Sequence, residues 1–206
     1  MINPSVEHLW SHLWTTRFSD KDVRLRFQLG GQFDNVTEQV PRFLQAHSRA
    51  STVADAAFRN GCMGVVAWGG QRPSSTGLSR RTKNGFTALQ STGFVVPQSA
   101  EWHGPLYSDP DDAEANDATF RSYDLGEDKV ARDTLLWHAV ALEMPIYPKA
   151  NVSIFLIDPV TPLMLYVYDD RGMDVIAKDE AALRDLFIRF DEWLLDYDRE
   201  RMAKLF

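Results

Sequence analysis

Apolar residues recur at helical spacing from the start of the chain, at Val6, Leu9, Trp10, Leu13 and Trp14. The spacing predicts an amphipathic helix ending near Phe18, with Asn3 as its cap and Pro4 at its first helical position. The period then changes. Residues 24–29, Arg-Leu-Arg-Phe-Gln-Leu, alternate polar and apolar, the mark of a half-buried strand closed by Gly30-Gly31. Helical spacing returns from about Thr37, with Pro41 in or near the first turn. Val40, Phe43, Leu44 and His47, then Val53, Ala54, Ala57 and Phe58, form its face, and Asn60-Gly61 stops it. Residues 64–68 form an apolar, buried strand. From Gly69 to Asp117 the pattern is the least regular, with Pro97, Gly104, Pro105 and Pro110 marking loops and a short helix near 87–91.

The second half is more regular. Residues 119–125 read as a strand, and 129–144 as a helix stopped by Pro145. Three runs, 152–157, 163–168 and 173–177, lie close enough in sequence to form an antiparallel meander. After Asp179, a good cap, Leu183, Leu186, Phe187, Phe190, Trp193, Leu194 and Tyr197 fall at helical spacing and predict a long C-terminal helix. There is no internal repeat and no linker, so residues 1–206 are expected to form a single domain. Strands occur singly and then in a run, with helices before and after. That order predicts an α+β fold, a mainly antiparallel sheet of about five or six strands with helices packed against it.

Composition narrows the partners. The 206 residues carry 29 acidic and 22 basic side chains, a net charge of −7. Nucleic acid is disfavoured, because phosphate attraction needs a basic footprint, and a basic protein surface is favoured. The N-terminus has neither the basic region nor the apolar stretch of a signal peptide, and no apolar run approaches membrane-spanning length. No membrane partner is expected, and the expected location is cytoplasmic. Cys62, the one cysteine, cannot form an internal disulfide and reads as a buried, inert thiol.

Four constellations could carry chemistry. His8 and His12 are spaced to face one metal ion on a helix, but further ligands are missing, so no metal site is assigned. The segment from Asp109 to Asp117 holds five acids. It fails the calcium-loop pattern, since Glu114 and Phe120 stand where Gly and Glu are needed. Asp109, Asp111, Asp112 and Glu114 read either as a solvated loop or as a contact surface that fills a cationic cleft on a partner. Asp169-Asp170-Arg171-Gly172 is the densest polar cluster between two apolar strands. It reads as a hairpin, with Asp at the turn, Gly172 at positive φ and Arg171 clamping a neighbouring carboxylate or the C-terminal helix; paired carboxylates doing acid/base work is the alternative. The charged cluster at 196–201 reads as a solvated helix end. No phosphate loop, dinucleotide fingerprint or nucleophile elbow is present, so no cofactor is expected.

The run Tyr168-Asp169-Asp170-Arg171-Gly172-Met173-Asp174-Val175, followed by Phe190, Trp193 and Asp196-Tyr197-Asp198-Arg199, resembles the bacterial domain-of-unknown-function family numbered 3885. Arg26-Phe27-Gln28-Leu29-Gly30, and Arg49-Ala50 with Phe58 downstream, fit it as well. The match is specific from about Val152 onward and loose between Gly69 and Asp117. The resemblance implies a bacterial cytosolic protein with a place among the immunity proteins, which neutralise polymorphic or secreted toxins, including those of type VI secretion. It carries over no catalytic residues. The expected function is therefore a non-enzymatic, immunity-type protein that binds a cognate toxin with a basic surface, such as a secreted nuclease, and occludes its active site through Asp109, Asp111, Asp112 and Glu114. The alternatives are an enzyme built on Asp169, Asp170 and Arg171, or a structural or regulatory module without a toxin partner.

Overall fold

The computed structural model describes residues 5–16, 23–31, 38–69, 84–106 and 117–206. Within them the chain forms α1 (Val6–Thr16), β1 (Arg24–Gln28), α2 (Gln39–Ala57), β2 (Cys62–Gly69), α3 (Gly85–Gln90), β3 (Gln98–Pro105), β4 (Asp117–Gly126), α4 (Lys129–Val140), β5 (Ser153–Asp158), β6 (Leu163–Asp169), β7 (Gly172–Ala177), α5 (Arg184–Arg189) and α6 (Arg199–Ala203). Several helix starts are set by the side chains the sequence offers. Asp128 accepts a bond from the Ala131 amide at 3.0 Å, Asn84 from Phe86 at 2.9 Å and Asp179 from Ala181 at 2.8 Å. Pro41 lies in the first turn of α2, as expected; Asn3, Pro4 and Thr37 lie outside the described residues.

The seven strands make one sheet in the order β1-β7-β6-β5-β2-β4-β3, and every pairing is antiparallel. The expected meander is β5-β6-β7. These strands are buried almost throughout, because helices cover both faces of the sheet. One face carries α1, whose Trp10 and Trp14 sit among Phe120, Phe155 and Tyr166 with ring centroids 4.5–5.6 Å apart. The Trp14 indole N–H donates to the Leu106 carbonyl, which anchors α1 to the chain beyond β3. The other face carries α2, α4 and the C-terminal segments over a larger core. Among the described residues no helix is long and apolar enough to cross a membrane.

Two expectations fail. The sheet has seven strands rather than five or six, and the extra strand is β3. Its sequence, Gln-Ser-Ala-Glu-Trp-His-Gly-Pro, is exposed at six of eight positions, so it carries no alternation to read. The long C-terminal helix is absent. A 3₁₀ turn, the six-residue α5, two further 3₁₀ turns and the five-residue α6 take its place. The helical spacing is overridden at Leu194 and Leu195, whose backbone is extended. There the chain pairs with β1: Leu194 bridges Phe27, and the Leu195 amide donates to the Arg26 carbonyl at 2.8 Å. Capping an open strand edge outweighs continuing a helix that would set Glu192 and Asp196 one turn apart with like charge.

Candidate functional site

The Asp-Asp-Arg-Gly cluster is a tight hairpin. Asp169 and Gly172 face each other across β6 and β7, so Asp170 and Arg171 form the turn. Asp169 is buried. One of its oxygens accepts the Arg171 amide at 2.7 Å, and the other accepts the Arg171 side chain, with Nε at 2.9 Å and Nη2 also bonded. The bond to Asp169 holds the Arg171 guanidinium firmly protonated, above its ordinary range. Arg171 also reaches Glu143 at 3.3 Å. It clamps Asp169, not the C-terminal helix. Asp170, also buried, accepts from Nε of Arg42 on α2, and the Arg171 carbonyl accepts the Leu29 amide at 2.9 Å. The turn thus ties together the end of β1, α2 and the chain after α4.

Gly172 is needed for a reason other than the expected one. Its φ lies outside the left-handed region, which among the described glycines is taken by Gly31, Gly61, Gly69, Gly93 and Gly126. What Gly172 supplies is space: a Cβ there would collide with the Tyr168 hydroxyl and lie 2.8 Å from the Phe27 carbonyl oxygen.

The remaining signature residues continue the same frame. Asp174 is buried between Arg24 at 3.0 Å and Arg26 at 3.3 Å. Burial, reinforced by Asp174, pushes the Tyr168 hydroxyl up to about 12. Arg201 pairs with Asp198 at 2.6 Å and donates to the Arg24 carbonyl at 2.9 Å. Burial alone would raise the Asp198 carboxyl, but the bonded Arg201 outweighs it and holds the group below its usual range. Arg199 pairs with Asp191 at 2.6 Å and Asp196 at 3.2 Å. The Asp174 pairs tie β1 to β7, the Arg199 and Arg201 pairs brace the C-terminal segment, and the Arg201 bond to the Arg24 carbonyl joins that segment to the outer edge of β1.

A groove of about 410 Å³ lies between α2 and α4, lined by His47, Asp133, Trp137 and His138 among others. Facing side chains at i, i+4 spacing build it. His47 and Ser51 on α2 meet Asp133 on α4, with the Ser51 hydroxyl donating to the Asp133 carboxylate at 2.9 Å and His47 Nε2 lying 3.1 Å from the Asp133 carbonyl. Trp137 stands edge-on to Phe43 at 4.4 Å. His138 is fully buried and bonded at both ring nitrogens. Nδ1 accepts the Ala150 amide at 3.1 Å, so Nε2 carries the proton and donates to the Thr92 hydroxyl at 2.9 Å, which in turn donates to the Leu89 carbonyl at 2.6 Å. Burial lowers its pKa to about 4. His138 is therefore a neutral, fixed wall of the groove. The sequence places its neighbour His47 only on an apolar helix face; the signal for the groove is the i, i+4 spacing of His47 and Ser51 on α2 and of Asp133 and Trp137 on α4.

Asp109, Asp111, Asp112 and Glu114 lie outside the described residues, as do Arg72, Arg80, Arg81 and Lys83, which form a basic island in the irregular stretch after Gly69. The frame around the acidic segment is described. Pro105 and Asp117, the strand ends on either side of it, are paired partners in the β3–β4 hairpin. Gly69, where β2 ends before the basic island, pairs with Ala118 beside them. The end of β2 and the two strand ends that flank the acidic segment therefore lie side by side at one end of the sheet. His8 and His12 are exposed on α1, and no group of three or more metal-ligating side chains occurs among the described residues. Cys62 is buried as expected, and burial pushes its thiol up to about 12.

Comparison with known families gives one match. The model of the family described as Domain of unknown function (DUF3885) matches residues 2–198. No curated protein and no solved structure matches the chain.

Proposed function

The chain belongs to the DUF3885 family, and from that premise we propose that it is an immunity-type binding protein, which neutralises a cognate bacterial toxin by seating on its basic active-site surface. The partner class is a protein with a cationic cleft, such as a secreted nuclease. The observation that carries the reading is the pairing of the two strand ends that flank the acidic segment. Asp109, Asp111, Asp112 and Glu114 are strung between Pro105 and Asp117, two paired residues at the end of the hairpin that forms one edge of the sheet. A net charge of −7 adds long-range attraction toward a basic partner.

The bonding of Asp169, Asp170 and Arg171 supports the same reading. To serve as an acid, base or metal ligand, these groups would have to exchange the bonds that tie β1, α2 and the hairpin together. The test is co-expression with the product of the neighbouring gene. The expected result is that the neighbour is toxic alone, harmless with this chain, and co-purifies with it. A neighbour that is not toxic, or that does not co-purify, overturns the reading.

A further inference from the structure

The two edges of the sheet are treated differently. On the β1 edge, the Leu195 amide bonds the Arg26 carbonyl, Leu194 bridges Phe27, and Arg201 takes the Arg24 carbonyl. On the other edge, β3 pairs among the described residues only with β4, and six of its eight residues are exposed. An edge strand of that length, left uncovered, is a template for another strand. We propose that the occupant is a second copy of this chain: two β3 strands pair antiparallel about a two-fold axis at Trp102 and join two seven-stranded sheets into one.

Symmetry and charge select this arrangement. Antiparallel pairing of identical edges needs a two-fold axis perpendicular to the sheet, so each residue meets one from its own face. Trp102 lies on the α1 face, stacked on Phe120 with centroids 5.2 Å apart. By alternation Glu101 and His103 lie on the opposite face. Three registers keep the faces matched near the strand centre. One sets Glu101 against its own copy, which is repulsive. Another sets His103 against its copy and brings Pro105, which has no amide hydrogen, into the ladder. The third centres on Trp102. It sets Trp102 against Trp102, Ala100 against Gly104, and Glu101 against His103 twice over, an aromatic pair flanked by complementary polar pairs. Glu101 is already oriented by Arg121 at 2.7 Å, and His103 Nδ1 by the Thr119 hydroxyl at 3.1 Å. The irregular register between Gln98 and Ala100 marks one limit of the ladder, and Pro105 the other.

This inference does not rest on toxin binding, and its test uses the chain alone. In sedimentation velocity the wild-type protein should show, with rising concentration, a species of twice 23.4 kDa. His103→Glu puts like charges in both outer pairs and should weaken the dimer on the order of tenfold, because symmetry counts the pair twice. His103→Lys sets a cation opposite Glu101 and should retain the dimer, although it loses the same bond to Thr119. Thermal melts of both variants check that the fold is unchanged. A wild-type monomer at every concentration, two variants that dimerise alike, or pairing only with a foreign protein's strand would overturn the proposal.

Discussion

At Gly172 the β6–β7 turn has no room for a side chain, because the Phe27 carbonyl would lie 2.8 Å from a Cβ and the Tyr168 hydroxyl would collide with it. Gly172→Ala should therefore already destabilise the protein, and Gly172→Val should do so by about 1–3 kcal/mol or more. Asn, which tolerates left-handed backbone, should bring no rescue, since φ is not the constraint. Denaturant melts of the three variants decide it. The two arginines of the cluster should differ in the same assay. Arg42→Ala leaves Asp170 buried without that guanidinium, a loss on the order of 3 kcal/mol. Arg171→Ala should cost about 1 kcal/mol, because Arg171 is largely exposed and Asp169 keeps the amide of residue 171. His138 gives a pH signature. Its pKa falls from 6.5 to about 4 on folding, so between those values the unfolded chain binds the extra proton. Stability should be complete above pH 6.5 and fall as pH drops toward 4, by up to about 3 kcal/mol. A melt series with His138→Gln as reference should isolate that slope. The Asp169–Gly172 turn was legible in the sequence, since Asp and Gly favour turns. The need for space at Gly172 was not, because its neighbours Tyr168 and Phe27 come together only when β1 docks on β7.

Among the elements, those with a strong period formed as the sequence implies: α1, α2, α4 and the β5-β6-β7 meander each have a face to bury. The misread elements are those whose backbone is set by a neighbouring strand rather than by their own apolar pattern. β3 is a strand because β4 offers it hydrogen bonds, with Trp102 flat on Phe120, although its own residues are mostly exposed. The C-terminal region has the apolar spacing of a long helix, yet breaks at Leu194 and Leu195 to pair with β1, more than 160 residues away in sequence. Periodicity reports which residues are buried, not which backbone is needed elsewhere. Truncation before Leu194 should remove Leu194 and Met202 from the core and uncover β1. The expected outcome is a lower melting temperature together with concentration-dependent aggregation, measured by scattering during the melt. A truncated chain that melts like the full one and stays clear would show that this segment is not an edge cap.

For the whole molecule, the sheet is a frame in which ion pairs tie β1 to β7, with the end of β2 and the ends of the β3–β4 hairpin side by side. Under the binding reading, Asp111→Ala with Asp112→Ala should leave the melting temperature nearly unchanged. The double variant should slow association with a basic partner on the order of tenfold at low ionic strength, an effect that fades as salt screens it. Stopped-flow binding at two salt concentrations measures both. The proposed partner class rests on charge and resemblance, and neither places a binding surface on the fold, since composition carries no placement. The pairing of Pro105 with Asp117 has one more consequence, for how such a protein changes over evolutionary time. The two ends of the acidic segment are brought together by the ladder itself. Doubling the length of such a connection costs only about 0.6 kcal/mol in closure entropy. Lengthening the connection between Pro105 and Asp117 is therefore cheap in closure entropy, and under the binding reading a lineage can revise its contact surface there while every strand stays in register.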